Sequence, residues 1–114
     1  MITLWHNPRC SKSRQALALL QEAGADVTIR KYLDDSPTLA ELRDVHAALG
    51  HPPVIEMMRP KEADFKAAGL STSDDEATLL QAMVDYPKLI ERPVAIKDDK
   101  AILGRPPENV LTLI

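Results

Sequence analysis

Only one cysteine, Cys10, occurs in the 114-residue chain, which excludes an internal disulfide and any cysteine-rich zinc or iron–sulfur site. Glycine is nearly as scarce, and its four copies form neither a P-loop nor a dinucleotide-binding pattern, so nucleotide binding has no support. A basic excess is missing too. Fourteen Lys and Arg against seventeen Asp and Glu leave a net charge of −3, the wrong sign for a protein that holds nucleic acid by neutralising phosphates. No apolar run approaches the roughly 18–20 residues that cross a bilayer, which argues against a membrane-spanning protein. Met1 to His6 offers no basic segment and no small-residue cleavage site, so no signal peptide is expected and the mature chain is expected to start at Met1. A reduced thiol without a disulfide partner fits a cytoplasmic setting.

What is present is a globular composition, 45% apolar and 27% charged, in a length that predicts one domain over residues 1–114. Ile2 to Trp5 reads as a buried strand ended by the turn-forming His6-Asn7-Pro8. From Ser11 the apolar residues Ala16, Leu17, Leu20 and Ala23 fall on one helical face, with Gly24 as the stop. Val27 to Ile29 then alternates as a second strand, and a one-helix crossover makes the two strands parallel. The middle of the chain reads as helical. Thr38 with Glu41 is a capping box, Pro52-Pro53 suits a short helix ending near Arg59-Pro60, and Lys61 to Ala68 is another. Ser73 with Glu76 predicts a further capped helix, stopped by Pro87. His46 and His51 have a zinc-like spacing, but Gly50 ends the helix between them and no cysteine pair accompanies them, so His46 is expected on a solvated face and no metal is expected. Val94 to Ile96 and Ala101 to Leu103 form a hairpin through Asp98-Asp99, and Pro106-Pro107 opens a last helix from Glu108 to Leu113. The order is β-α-β, a helical insertion, then β-β-α, an α/β class.

Charge is unevenly placed. Residues 1–21 contain no Asp or Glu yet carry Arg9, Lys12 and Arg14 around the only thiol. Cys10 stands after a turn and immediately before a helix, where unpaired N–H groups and the helix dipole favour an anion. A thiol so placed beside cations ionises below the ordinary value of about 8.5. Ser13 is expected to add a hydroxyl donor, and His6 and Arg14 positive charge. Cys10-Ser11-Lys12-Ser13 is the redox C-x-x-C pattern with its second sulfur replaced by a hydroxyl, so an oxidised Cys10 must be resolved by a thiol of another molecule. A phosphatase-type loop is disfavoured because the position of its arginine is Ala16. Three Arg-Pro pairs follow, at Arg59, Arg92 and Arg105, and in each the proline restricts the guanidinium-bearing residue that could fork onto an oxyanion.

The run from His6 to Arg14, His-Asn-Pro-Arg-Cys-Ser-Lys-Ser-Arg, with Glu91-Arg92-Pro93-Val94 and Gly104-Arg105-Pro106-Pro107-Glu108, resembles the glutaredoxin-coupled arsenate reductase (ArsC) family from Met1 to Ile114. Arg9 and Lys12 beside the thiol, and an end soon after the last helix, resemble its short YfgD-like branch. The resemblance implies a thioredoxin-like fold with a helical insertion and a cis proline at Pro93. It implies Cys10 as nucleophile, His6, Ser13 and Arg14 as residues favouring its thiolate, and Arg59, Arg92 and Arg105 as the arginines that bind arsenate. It further implies no bound cofactor, glutathione as co-substrate and glutaredoxin as partner. Two other readings share the fold: a thiol-dependent reductase of another substrate, and an Spx-like regulator that binds RNA polymerase. The latter class generally senses oxidation through a cysteine pair, which Ser13 removes.

Overall fold

The computed structural model describes every residue from Met1 to Ile114. β1 (Ile2–Trp5) buries Ile2, Leu4 and Trp5, because it lies inside a sheet with a neighbour on each side. α1 (Ser11–Glu22) turns its Ser13, Ala16 and Leu20 inward, and Gly24, at φ 78°, takes the left-handed conformation that ends it. β2 (Val27–Arg30) runs parallel to β1, with Leu4 opposite Ile29 and Trp5 opposite Arg30. After a long insertion, β3 (Val94–Lys97) returns antiparallel on the other side of β1, pairing Val94 with Trp5, and β4 (Lys100–Leu103) folds back on β3. The strand order is β2-β1-β3-β4. Asp98 at φ 55° makes the tight turn of the final hairpin.

The last helical segment is a 3₁₀ helix, Pro107–Leu113, in place of the α-helix predicted from Glu108. Pro106 and Pro107 supply no N–H groups at its start, and a short segment settles for the tighter turn. It packs on α1, and together they lay Ala16, Leu20, Val110 and Leu113 over Ile2, Leu4 and Ala95 of the sheet. Each large side chain fully buried in this way contributes about 1.5–3 kcal/mol.

The chain is built of two compact units, Met1–Asp35 with Arg92–Ile114, and Ser36–Glu91. The first is the sheet just described. The second holds α2 (Leu39–Ala48), a 3₁₀ turn (Val54–Met57), α3 (Ala63–Ala67), α4 (Glu76–Asp85) and a 3₁₀ turn (Pro87–Leu89). The Thr38–Glu41 capping box is present in full, each side chain bonding the other's main-chain N–H, at 3.1 and 3.0 Å. At α4 the cap is Asp75 instead of Ser73: its carboxylate accepts from the Thr78 N–H at 2.8 Å, a position equally favoured for a cap and nearer the helix. Within this unit α4 packs against α2 and both 3₁₀ turns, and residues 57–59 and 89–91 pair through main-chain bonds of 2.8 and 2.9 Å. His46 is buried, not solvated; its Nε2–H donates to the Pro52 carbonyl at 2.6 Å, with a Glu76 carboxylate oxygen 3.7 Å away. No helix is long and apolar enough to cross a membrane.

Candidate active site

The loop between β1 and α1 is shaped by its own sequence. The Cys10 N–H donates to the Asn7 carbonyl at 3.0 Å, closing a turn with Pro8 at the position where a fixed φ is favourable. The Asn7 side-chain oxygen accepts from the Arg9 N–H at 3.0 Å, the Asx arrangement that makes asparagine a turn former. Cys10 then caps α1 in an extended conformation, φ −92° and ψ 123°, and its carbonyl accepts the first helical bond from Arg14. The thiol is half-exposed at the start of the helix.

No side-chain cap bond of full hydrogen-bond geometry closes at Cys10, yet its sulfur is surrounded by groups that favour charge. Burial works against the thiolate, but the Ser13 N–H, the Arg92 guanidinium, acting by hydrogen bond and by charge, and the Lys12 N–H outweigh it. The net effect draws the thiol below its ordinary value. The lowering expected from the sequence is there, and the helix-start amides expected to cause it contribute, but the charge beside the sulfur comes from elsewhere than expected. Arg92, far along the chain, supplies it, and the side chains of Arg9, Lys12 and Arg14 are not among the causes. The Arg14 guanidinium instead donates to the Pro8 carbonyl at 2.9 Å and braces the loop.

His6 and Ser13 are buried together, with His6 Nδ1 2.6 Å from Ser13 Oγ. The same hydroxyl oxygen accepts from the Asn7 N–H at 3.1 Å, so the hydroxyl serves the loop while the Ser13 amide serves the sulfur. Burial first, then the charges of Lys31 and Arg14, push His6 below its usual value. The shift favours the neutral imidazole, which then adds little positive charge beside Cys10.

Arg92 immediately precedes Pro93 and β3, and the Arg92–Pro93 peptide bond is cis, as the resemblance implied; Arg105–Pro106 is cis as well. Burial disfavours the charge of Arg92, but Cys10 and then Tyr32 more than restore it, so the guanidinium is held charged beside the sulfur. Arg105 is exposed, one residue after Gly104, whose N–H donates to the Pro93 carbonyl at 2.8 Å. Its main chain thus runs next to the Arg92-Pro93 corner. Arg59 belongs to the Ser36–Glu91 unit, 3.6 Å from the Glu62 carboxylate and 3.8 Å from that of Glu91. Tyr32, which no sequence pattern marked, is fully buried and adjoins Arg92.

A thiol at the end of the first strand and the start of the first helix, with a cis proline opening the strand next to it in a β2-β1-β3-β4 sheet, defines a thioredoxin-like thiol protein. More narrowly, a sequence model of the ArsC family matches residues 5–113, and the chain belongs to that family, in its short YfgD-like branch. An arsenate reductase of Neisseria meningitidis serogroup A is 46% identical over 110 residues, 96% of this chain and 94% of that one. The Escherichia coli K12 protein YfgD is 46% identical over 114 residues, 99% of this chain and 96% of its own. The solved structure of an arsenate reductase from Vibrio cholerae superposes with a TM-score of 0.94 at 42% identity, covering 99% of this chain and 97% of that one.

Proposed function

We propose that the protein is a cytoplasmic arsenate reductase that uses glutathione and glutaredoxin and works through a covalent adduct on Cys10. The observation that carries this reading is the Cys10 sulfur between the Arg92 guanidinium and the amides of Lys12 and Ser13, a thiol poised as a nucleophile in an oxyanion-favouring site. Family membership and relatives named arsenate reductases support the substrate. The Cys10 thiolate attacks arsenic, an S–As bond forms, and one oxygen leaves as water after protonation. Glutathione adds to the arsenic with loss of a second water. A glutaredoxin thiolate then takes the glutathione sulfur, the electron pair of the breaking S–As bond stays on arsenic, and a glutaredoxin–glutathione disulfide departs. Hydrolysis of the remaining S–As(III) bond frees arsenite and Cys10. With no second cysteine, both electrons come from outside the chain.

Arg92 and Arg105 would hold the arsenic-bound oxygens, with Arg14 bracing the loop and neutral His6 fixing Ser13. The resemblance adds Arg59, whose guanidinium lies 3.6 and 3.8 Å from the Glu62 and Glu91 carboxylates. The test is arsenate-dependent NADPH oxidation with glutathione, glutaredoxin and glutathione reductase. A rate that saturates with arsenate, needs glutathione and disappears in Cys10→Ser is expected. Absence of any arsenate-dependent rate would overturn the reading.

A further inference from the structure

β2 ends at Arg30, opposite Trp5, and the His6 N–H donates to the Arg30 carbonyl at 2.8 Å, so the chain leaves β1 and β2 at the same edge of the sheet. β3 runs the other way and enters at that edge, with Val94 opposite Trp5. Tyr32, two residues beyond β2, and Arg92, two residues before β3, therefore flank the exit of β1, the strand that leads to Cys10. The turn carrying Tyr32 is firmly closed. Asp34 and Asp35 donate their N–H groups to the Lys31 carbonyl at 3.0 and 2.9 Å, and Arg30 Nε reaches the Asp35 carbonyl and carboxylate at 3.2 and 3.3 Å. Tyr32 is 0% exposed, and both its hydroxyl oxygen and the Arg92 Nε are out of contact with water. A buried phenol needs a polar environment, and the Arg92 guanidinium interacts with it.

We propose that Tyr32 is a positioning residue, its buried hydroxyl facing the Arg92 guanidinium and fixing it beside the Cys10 sulfur. Arginine has a long side chain with many rotamers, whereas tyrosine has two side-chain torsions and here a pinned main chain. The hydroxyl thus converts a mobile cation into a preorganised one, both for the thiolate and for an oxyanion attached to it. This role deepens the arsenate reductase reading and rests on it for its catalytic consequence, but its effect on the thiol stands apart from any substrate.

The test compares the parent with Tyr32→Phe, which keeps the ring and removes only the hydroxyl. The pH dependence of Cys10 alkylation by iodoacetamide is followed, with the thermal midpoint and circular dichroism as measures of fold. We expect the alkylation midpoint to move to higher pH and the rate at neutral pH to fall roughly three- to tenfold, the fold-change of about one hydrogen bond. In an Arg92→Ala background the same substitution should change nothing further, because Tyr32 acts through Arg92. An unchanged midpoint, an equal shift in both backgrounds, or loss of the fold in Tyr32→Phe would each overturn the proposal, the last by assigning the hydroxyl to stability. A shifted midpoint in a protein without arsenate turnover would leave the positioning role intact and sink the substrate reading instead.

Discussion

Cys10 was legible from its neighbours alone, because turn residues before it and helix periodicity after it put any side chain at that position among free N–H groups. Arg92 was legible as a candidate through its proline, but its contact with the sulfur depends on β1 and β3 lying side by side, which no local pattern encodes. Tyr32 was illegible for the same reason. If Arg92 and Arg105 hold the adduct, Arg92→Ala and Arg105→Ala each remove charge-assisted bonds of about 1.5–3 kcal/mol, a roughly ten- to hundredfold loss in kcat/KM. Arg92→Lys should recover only part, since an ammonium lacks the planar fork. Steady-state kinetics against arsenate, with Arg59→Ala beside them, would check this; turnover within about twofold of the parent would mark surface roles. His6 gives a second expectation. The unfolded chain protonates it near the ordinary value of 6.5 while the native state resists, so the unfolded state binds more protons as the pH drops below that value. Stability attributable to His6 is complete above about 6.5 and declines as the pH falls toward its lowered native value. Thermal midpoints from pH 7 down to 5 should therefore fall less steeply in His6→Asn than in the parent.

Among the elements, those with a complete local signature were read correctly: α2 through its Thr38–Glu41 box, and the closing hairpin through Asp98-Asp99. Misreadings arose where two signals competed or where a periodicity was overlooked. Asp75 displaced Ser73 as the cap of α4, and His46, four residues after buried Leu42, shares the inward face of α2. Gly104 shows an element-level requirement invisible in the sequence. A Cβ there would lie 2.5 and 2.9 Å from the Pro93 ring and 3.2 Å from Val110 Cγ1, so the end of β4 can approach the Arg92-Pro93 corner only without a side chain. Gly104→Ala should cost about 1–3 kcal/mol as an overpacked contact. Urea unfolding measures that loss, and slower Cys10 alkylation at neutral pH would report the accompanying displacement of Arg92.

For the whole molecule, the order β-α-β, helical insertion, β-β-α could be read because each strand was bounded by turn residues, whereas the division at Asp35–Ser36 and Glu91–Arg92 carries no change of composition that would mark it. Net charge is likewise a poor guide to the field at the site. The chain carries −3 overall, but Arg9, Lys12 and Arg14 are exposed around the thiol within an acid-free stretch. An anionic substrate approaching that end meets attraction that salt weakens, since the screening length shrinks from about 10 Å at 0.1 M to about 3 Å at 1 M. kcat/KM for arsenate should decline as sodium chloride is raised across that range, and Arg9→Ala with Lys12→Ala should flatten the decline. A salt-independent value in the parent would remove these cations from substrate capture.

The antiparallel pairing of β1 with β3 also has a consequence for biosynthesis. Strand β1 emerges from the ribosome first, and its partner follows only after the whole Ser36–Glu91 segment has been made. A nascent chain can close the β1–α1–β2 unit early, presenting Cys10 with its helix-start amides but without Arg92 or the Gly104 contact on Pro93. The thiol is in that interval a more ordinary one, and it gains its full reactivity only when the last strands join the sheet and bring Arg92 beside it.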